Sequence, residues 1–247
     1  MKMKLEKYLD YLVEWIRQAV KEAHADGVIV GVSGGIDSAV VAHLAKKAFP
    51  NNYLTVWMPI NSSHQDWACQ EILVEQNQFK CVTVDLLKSF KQMSKVLKKT
   101  GVELSDLALS NTKARLRMST LYALGQSKKY LVLGTDNLDE WHIGYFTKYG
   151  DGGVDLVPII HLLKREVKQA AKIFGVPDVI IDRPPTAGLW ENQTDEAEIG
   201  FSYDDIDAYL IGKNNNPDLK KRIDAMHLTS EHKRNLAAQP QEFLRDK

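Results

Sequence analysis

A turn of small residues, Gly31-Val32-Ser33-Gly34-Gly35-Ile36-Asp37-Ser38, lies between an apolar run at residues 28–32 and a stretch carrying Ala39, Val40, Val41, Leu44 and Ala45. The run reads as a buried strand and the stretch as a helix that begins near Asp37. Two adjacent glycines with small polar flanks allow backbone N–H groups to converge on one spot beside the helix N-terminus, where the dipole favours an anion. The turn therefore predicts a phosphate site. It matches neither GxxxxGK[ST] nor GxGxxG, so it is not one of the two commoner phosphate loops. An ordinary ligand-free turn accounts for Ser33-Gly34-Gly35 taken alone, but less well for the whole SGGIDS after a buried strand.

Asp37 adds a second constraint. An acid in the first turn stabilises a helix by about 0.3–1 kcal/mol, which by itself explains its place. Beside a polyphosphate the same carboxylate would repel its neighbour unless a cation lay between them, and Mg²⁺ prefers carboxylates together with substrate phosphates.

The other segments alternate in type. Residues 5–23 read as an amphipathic helix with Leu5, Leu9, Leu12, Val13, Ile16 and Val20 on one stripe. Residues 53–58, 81–84 and 130–133 read as strands, and 65–78 and 104–126 as helices. Strands separated by helices imply a doubly wound, mostly parallel α/β sheet with helices on both faces, Rossmann-like in outline. Ligands of such sheets sit beyond the carboxyl ends of the strands. SGGIDS follows one such end and Gly134-Thr135 another, which predicts that the two loops line one crevice. Residues 150–153 and 183–193 read as mobile loops, and 213–217 as a turn before C-terminal helices.

Bulk properties narrow the function. The chain has 247 residues, within reach of one large domain, and no linker interrupts residues 1–247. Lys plus Arg and Asp plus Glu are 32 each, so no basic field attracts nucleic acid or an acidic membrane. Cys69 and Cys81 lack metal-site spacing and read as free thiols in a reducing compartment. Acidic residues interrupt any signal-like N-terminal segment, and no run of about 18 apolar residues exists. A soluble, cytoplasmic protein is expected.

Four further clusters carry polar residues. In Asn111-Thr112-Lys113-Ala114-Arg115-Leu116-Arg117, Asn111 and Arg115 share a helix face while Arg117 points elsewhere, so one arginine is free to meet a ligand and the other to pack or meet a partner; a solvated face explains both equally well. In Gly134-Thr135-Asp136-Asn137-Leu138-Asp139-Glu140, Thr135 or Asp136 is a candidate helix cap, and Glu140 lies where it could reach a cation held by Asp37. The aromatic and charged run 144–158 places Lys148, Asp151 and Asp155 on a pliable glycine loop, and a surface hairpin explains the glycines but not the charge. Lys164 opens a helix, a poor place for a cation unless an anion is present. Finally, Pro184 and Pro185 stiffen a loop that runs to Gln193, Thr194, Asp195 and Glu196, where Thr194 or Asp195 is a candidate cap. His232, Lys233 and Arg234 in isolation are an exposed basic patch.

SGGIDS resembles the loop of the ATP pyrophosphatases of the adenine nucleotide alpha hydrolase group. With NTKARLRM, GTDNLDE, GYFTKYGDGGVDLVP, LLKREV, PPTAGLW, QTDE, IGFSYDDIDAYL and EHKR in order, nearly the whole chain resembles the ammonia-dependent NAD synthetase family. The resemblance implies a ligase that amidates deamido-NAD with free ammonia through an adenylated intermediate, releasing AMP and pyrophosphate from ATP. It implies that Gly31, Val32, Ser33, Gly34, Gly35, Ile36, Asp37 and Ser38, with Thr135, Lys164 and Thr186, hold ATP, and that Asp37 and Glu140 bind Mg²⁺. Arg115, Lys148, Asp155, His232 and Lys233 fall on deamido-NAD positions. Asp151 falls near the ammonia site, and Asp151, Lys164 and Asp37 are the expected catalytic residues. A homodimer is implied, with Arg115, His232 or Lys233 free to act on the partner's ligand. Competing readings are a GMP synthetase-like domain, a tRNA thiolase, and a non-catalytic adenine-nucleotide binder. Missing paired cysteines count against the second, and the pairing of Asp37 with Glu140 against the third.

Overall fold

The computed structural model describes residues 4–185 and 194–243. In chain order the elements are α1 (Leu5–Glu22), β1 (Gly27–Gly31), α2 (Ile36–Ala48), β2 (Tyr53–Trp57), α3 (His64–Gln76), β3 (Cys81–Thr83), α4 (Leu87–Lys98), α5 (Asp106–Lys128), β4 (Tyr130–Leu133), α6 (Leu138–Ile143), α7 (Lys164–Phe174), α8 (Asp178–Ile181), α9 (Asp195–Ile199), α10 (Tyr203–Leu210), α11 (Pro217–Thr229) and α12 (Glu231–Arg234).

The strands form one parallel sheet in the order β3-β2-β1-β4. Leu156 adds an isolated parallel bridge beside Leu133. Alternation along β1 divides the interior. Val28 and Val30 face one core with residues of α1, α2 and α7, while Ile29 faces a second with Phe90, Met118 and Leu121. Both faces of the sheet are covered, which is why its strands read as continuous apolar runs. A third cluster, Ile143, Ile199, Phe201, Ile206, Leu219 and Ile223, joins α6 to the helices that follow α8. After β3 the chain returns to the other side of β1, so the order of winding reverses between β1 and β4, and a crevice opens at their carboxyl ends.

Predicted and observed boundaries of these strands differ by at most one residue at either end. No element is predicted for residues 85–103, yet α4 occupies most of them with Phe90 as its buried residue. Leu87, Phe90, Met93, Val96 and Leu97 recur at helical spacing, so the residues do carry a helical period that the sequence reading did not use. The glycine loop is also more ordered than its composition suggests. The Gly150 and Gly152 N–H groups both donate to the Thr147 carbonyl, at 2.9 and 3.2 Å. A Cβ on Gly152 would come within 2.3 Å of the Phe146 ring. This glycine is required by close packing, not by pliancy.

Candidate active site

The SGGIDS turn is stitched by its own serines. Ser38 Oγ donates to the Gly35 carbonyl at 3.0 Å and accepts from the Ser33 N–H at 3.1 Å. Ser33 Oγ accepts from the Gly35 N–H at 3.2 Å. Gly34 has φ of +77°, where an L side chain is strained, and a Cβ would press on Asp66 O and Gln70 N at 3.1 Å. The result is a rigid rim at the N-terminus of α2, whose first N–H groups have no intrahelical partners.

From this rim Asp37 reaches across the sheet. Its Oδ1 accepts from Asn137 Nδ2 at 2.9 Å and its Oδ2 from Lys164 Nζ at 2.6 Å. Lys164 Nζ also donates to Glu140 Oε1 at 3.0 Å. Loop, α6 and α7 thus meet at the ammonium group of Lys164, a residue that is 2 % exposed. The unfavourable cation at the start of α7 is explained: the anions beside it are carboxylates of the protein. Burial works against the Lys164 charge, but Asp37 and Glu140 outweigh it and hold the amine above the ordinary lysine range. Burial pushes the Glu140 carboxyl up to about 7 against the pull of Lys164, and the charge of Asp37 adds to the rise.

Asn137, not Thr135 or Asp136, caps α6. Its side chain accepts from the Asp139 and Glu140 N–H groups, each at 3.1 Å. Asp136 is buried beside it, with Oδ2 lacking a hydrogen-bond partner. Burial, then the charges of Asp151, Glu140 and Asp37, raise its carboxyl well above the usual range. Asp139 is buried as well, and burial together with the adjacent Asp207 pushes it up to about 9.

A cleft runs from this centre along the carboxyl ends of the strands. Its walls include Gly31–Ser38 residues, Met58, Arg117, Thr135, Glu140, Asp151, Lys164 and Asp195. Asp151 Oδ1 accepts from the Thr147 N–H at 3.1 Å, and burial raises its carboxyl. Arg117 is the arginine of α5 that faces the cleft, anchored by Nε to the Met58 carbonyl at 3.0 Å. Spacing on the helix separated the two arginines but did not say which would turn inward.

The other predicted residues gather beside the cleft. Arg115 Nε donates to the Lys148 carbonyl at 3.2 Å, and Lys148 Nζ to the His232 carbonyl. Lys233 Nζ donates to the Gly144 and Phe146 carbonyls at 2.8 and 2.9 Å. Asp155 uses both carboxylate oxygens within the fold, accepting from the Tyr122 O–H at 3.0 Å and the Val132 N–H at 2.7 Å. Thr186 lies outside the described residues. Thr194 holds the cap position of α9 without a side-chain cap bond, and Asp195 bonds to tyrosines.

Sequence reasoning missed Arg117 as a cleft residue and did not single out Tyr203. The Tyr203 hydroxyl donates toward Glu140 Oε1 at 3.0 Å and Asp195 Oδ2 at 3.1 Å, and its ring lies 4.6 Å below Lys164 Nζ. Burial and the surrounding carboxylates keep this phenol protonated.

The NAD synthase family model matches residues 8–237. The NH(3)-dependent NAD(+) synthetase of Mesoplasma florum is 60 % identical over 243 residues, covering 98 % of this chain and all of that protein. Among solved structures, the NMN synthetase of Francisella tularensis is 38 % identical with a TM-score of 0.91, over 98 % of this chain and all of its own. The NH3-dependent NAD synthetase of Campylobacter jejuni is 26 % identical with a TM-score of 0.80, over 97 % of this chain and all of its own. With a family match across most of its length and relatives that align end to end, the chain belongs to the NAD synthase family.

Proposed function

We propose that this NAD synthase joins ammonia to the nicotinic acid carboxylate of deamido-NAD, cleaving ATP to AMP and pyrophosphate through an adenylated deamido-NAD. The observation that carries the reading is the meeting of the SGGIDS turn, Asp37, Glu140 and Lys164 at the switch-point crevice, in a chain so similar to an NH(3)-dependent NAD(+) synthetase. A carboxylate is a poor acyl electrophile at neutral pH. Attack on the α-phosphorus of ATP turns it into a mixed anhydride with AMP as leaving group, and no protein nucleophile is needed.

The side chains supply positioning and charge. Residues Gly31 to Ser38, with Thr135, Lys164 and Thr186, take the ATP, the turn's N–H groups meeting phosphate oxygens and Lys164 offsetting charge as pyrophosphate departs. Asp37 and Glu140 fit Mg²⁺. They already share one cationic group, and two protein carboxylates plus substrate phosphates suit that ion without the larger His/Cys/Asp/Glu cluster that is missing among the described residues. When bound, Mg²⁺ neutralises and polarises phosphate oxygens. Asp151, its carboxyl raised by burial, is placed to bind ammonium and take up its proton, since attack requires NH₃. Arg117 adds a half-buried positive charge to the cleft wall.

Arg115, Lys148, His232 and Lys233 form a basic face beside the cleft for the anionic dinucleotide, shared across a homodimer. Asp155 joins them only if Tyr122 or Val132 yields its bond. Support for the dimer is the set of exposed apolar residues Met93, Val96, Val102 and Leu107 on and between α4 and α5, each at least 44 % exposed. Residues 1–247 act on this reading as one cytoplasmic domain. Among the described residues no helix is long and apolar enough to cross a membrane.

The name of the Francisella relative favours a second reading, in which the substrate is the deamido mononucleotide and the product NMN. The protein is incubated with ATP, Mg²⁺ and ammonium, with either the deamido dinucleotide or the mononucleotide. NAD and AMP formed preferentially from the dinucleotide support the first reading, and faster NMN formation supports the second. Neither amide nor AMP sinks both. Asp37→Ala should abolish turnover even at saturating Mg²⁺.

A further inference from the structure

Tyr203 stands between the candidate metal carboxylate and a second buried acid. A phenol carries one donor hydrogen. At 3.0 Å from Glu140 Oε1 and 3.1 Å from Asp195 Oδ2, that hydrogen is shared between two carboxylates. Glu140 Oε1 also accepts from Lys164, whereas Oε2 has one long contact, from the Asn137 N–H at 3.3 Å. Tyr203 and Lys164 together therefore pin one oxygen of Glu140 and leave the other less encumbered.

The tyrosine is itself held from both ends. Its backbone N–H donates to Glu196 Oε1 at 2.9 Å, and Ser202 with Asp205 forms the capping box that starts its helix. The Asp195 N–H donates to the Pro185 carbonyl at 3.0 Å, and its Oδ1 lies 3.2 Å from the Tyr145 hydroxyl, whose one hydrogen is shared with Glu198 Oε2 at 2.7 Å. Adjacent acids thus grip one tyrosine, Asp195 at the hydroxyl and Glu196 at the backbone. Neither side chain is needed to cap α9. Tyr203 is 4 % exposed and Asp195 5 %, so water is a poor substitute for either contact.

We propose that Tyr203 is a positioning residue, which fixes the Glu140 carboxylate for a divalent cation and is itself aimed by Asp195 and Glu196. The proposal rests on the reading of Asp37 and Glu140 as the Mg²⁺ carboxylates. Without the hydroxyl, Glu140 keeps Lys164 and the long Asn137 contact but loses one of the two donors on Oε1. Hydrogen-bond partners of metal-ligating carboxylates typically matter by 10- to 100-fold in metal affinity.

The test is calorimetric titration of ATP into the full-length protein at a series of Mg²⁺ concentrations, without ammonia or deamido-NAD. Its readout is the Mg²⁺ concentration that gives half-maximal ATP binding. Tyr203→Phe keeps the ring under Lys164 and should raise that concentration about 10-fold. Asp195→Asn, which keeps the shape but removes a buried negative charge, should raise it by a smaller factor. A merely structural role would lower the melting temperature of both variants and leave the Mg²⁺ requirement unchanged, which overturns the proposal while the metal reading stands. If wild-type ATP binding does not depend on Mg²⁺, the metal reading falls and this proposal with it. Should Tyr203→Phe fail to fold, Asp195→Asn decides on the same readout.

Discussion

Asp139→Asn tests the electrostatics of the interior beneath the site. Asp139 is fully buried; neither of its oxygens nor Asp207 Oδ1 meets a protein N–H or O–H donor. Its folded-state pKa of about 9 lies far above the unfolded value of about 3.9, so between those limits the native state keeps a proton that the unfolded chain has released. Stability from this group is complete below the unfolded value and is lost as pH rises through 9, at up to about 1.4 kcal/mol per pH unit. Asparagine is neutral at every pH, has nearly the same shape, and offers an N–H donor to Asp207 Oδ1. Urea unfolding of both proteins, followed by circular dichroism from pH 5 to pH 8 without Mg²⁺ or nucleotide, gives the difference in stability at each pH. That difference should move in favour of the variant by up to about 4 kcal/mol over the three units. A difference that stays flat with pH would refute the reasoning, since it would mean that Asp139 carries no extra proton in the folded state.

Other perturbations address the loop and the lysine. Lys164→Met leaves Asp37 and Glu140 facing each other in a dry site; it should cost about 3–5 kcal/mol, lowering the melting temperature by about 6–20 °C in a chain of this size, with part of the loss recovered by Mg²⁺ in the same melting assay. Gly34→Ala forces an L side chain to positive φ against the Asp66 and Gln70 backbone; it should cost about 1–2 kcal/mol of stability and weaken ATP binding measured by titration, whereas unchanged binding would show that the turn does not cradle phosphate.

The sheet was legible in the chain because buried parallel strands leave unbroken apolar runs, as at Val28–Val30 and Leu131–Leu133. The SGGIDS turn was legible because a turn this tight, with Gly34 at φ of +77°, needs small residues in one place. What stayed hidden depends on distance or rotation. Lys164 and Asp37 are 127 positions apart, and no local pattern tells a lysine at a helix start which anions await it. Arg115 and Arg117 differ by two positions on one helix, and only the way α5 lies on the sheet decides that Arg117 enters the cleft. Asp136 and Asn137 are both good caps by type. Only the path of the backbone after β4 sets Asn137 at the N-cap position, with its side chain on the Asp139 and Glu140 N–H groups. The cradle of Tyr203 joins α6, α9 and α10 through side chains that, read one at a time, look like ordinary helix starts.

The ammonium of Lys164 between Asp37 and Glu140 has a consequence for the life of the protein before any nucleotide arrives. In many metal proteins the ligands repel one another until the ion binds, so loading and folding are a single event. Here an internal counter-ion is already in place, and folding does not wait for a metal. On the proposed reading of Asp37 and Glu140 as Mg²⁺ carboxylates, chelation should silence the enzyme and leave its fold intact, so that stripping and reloading can be repeated on one sample without refolding it.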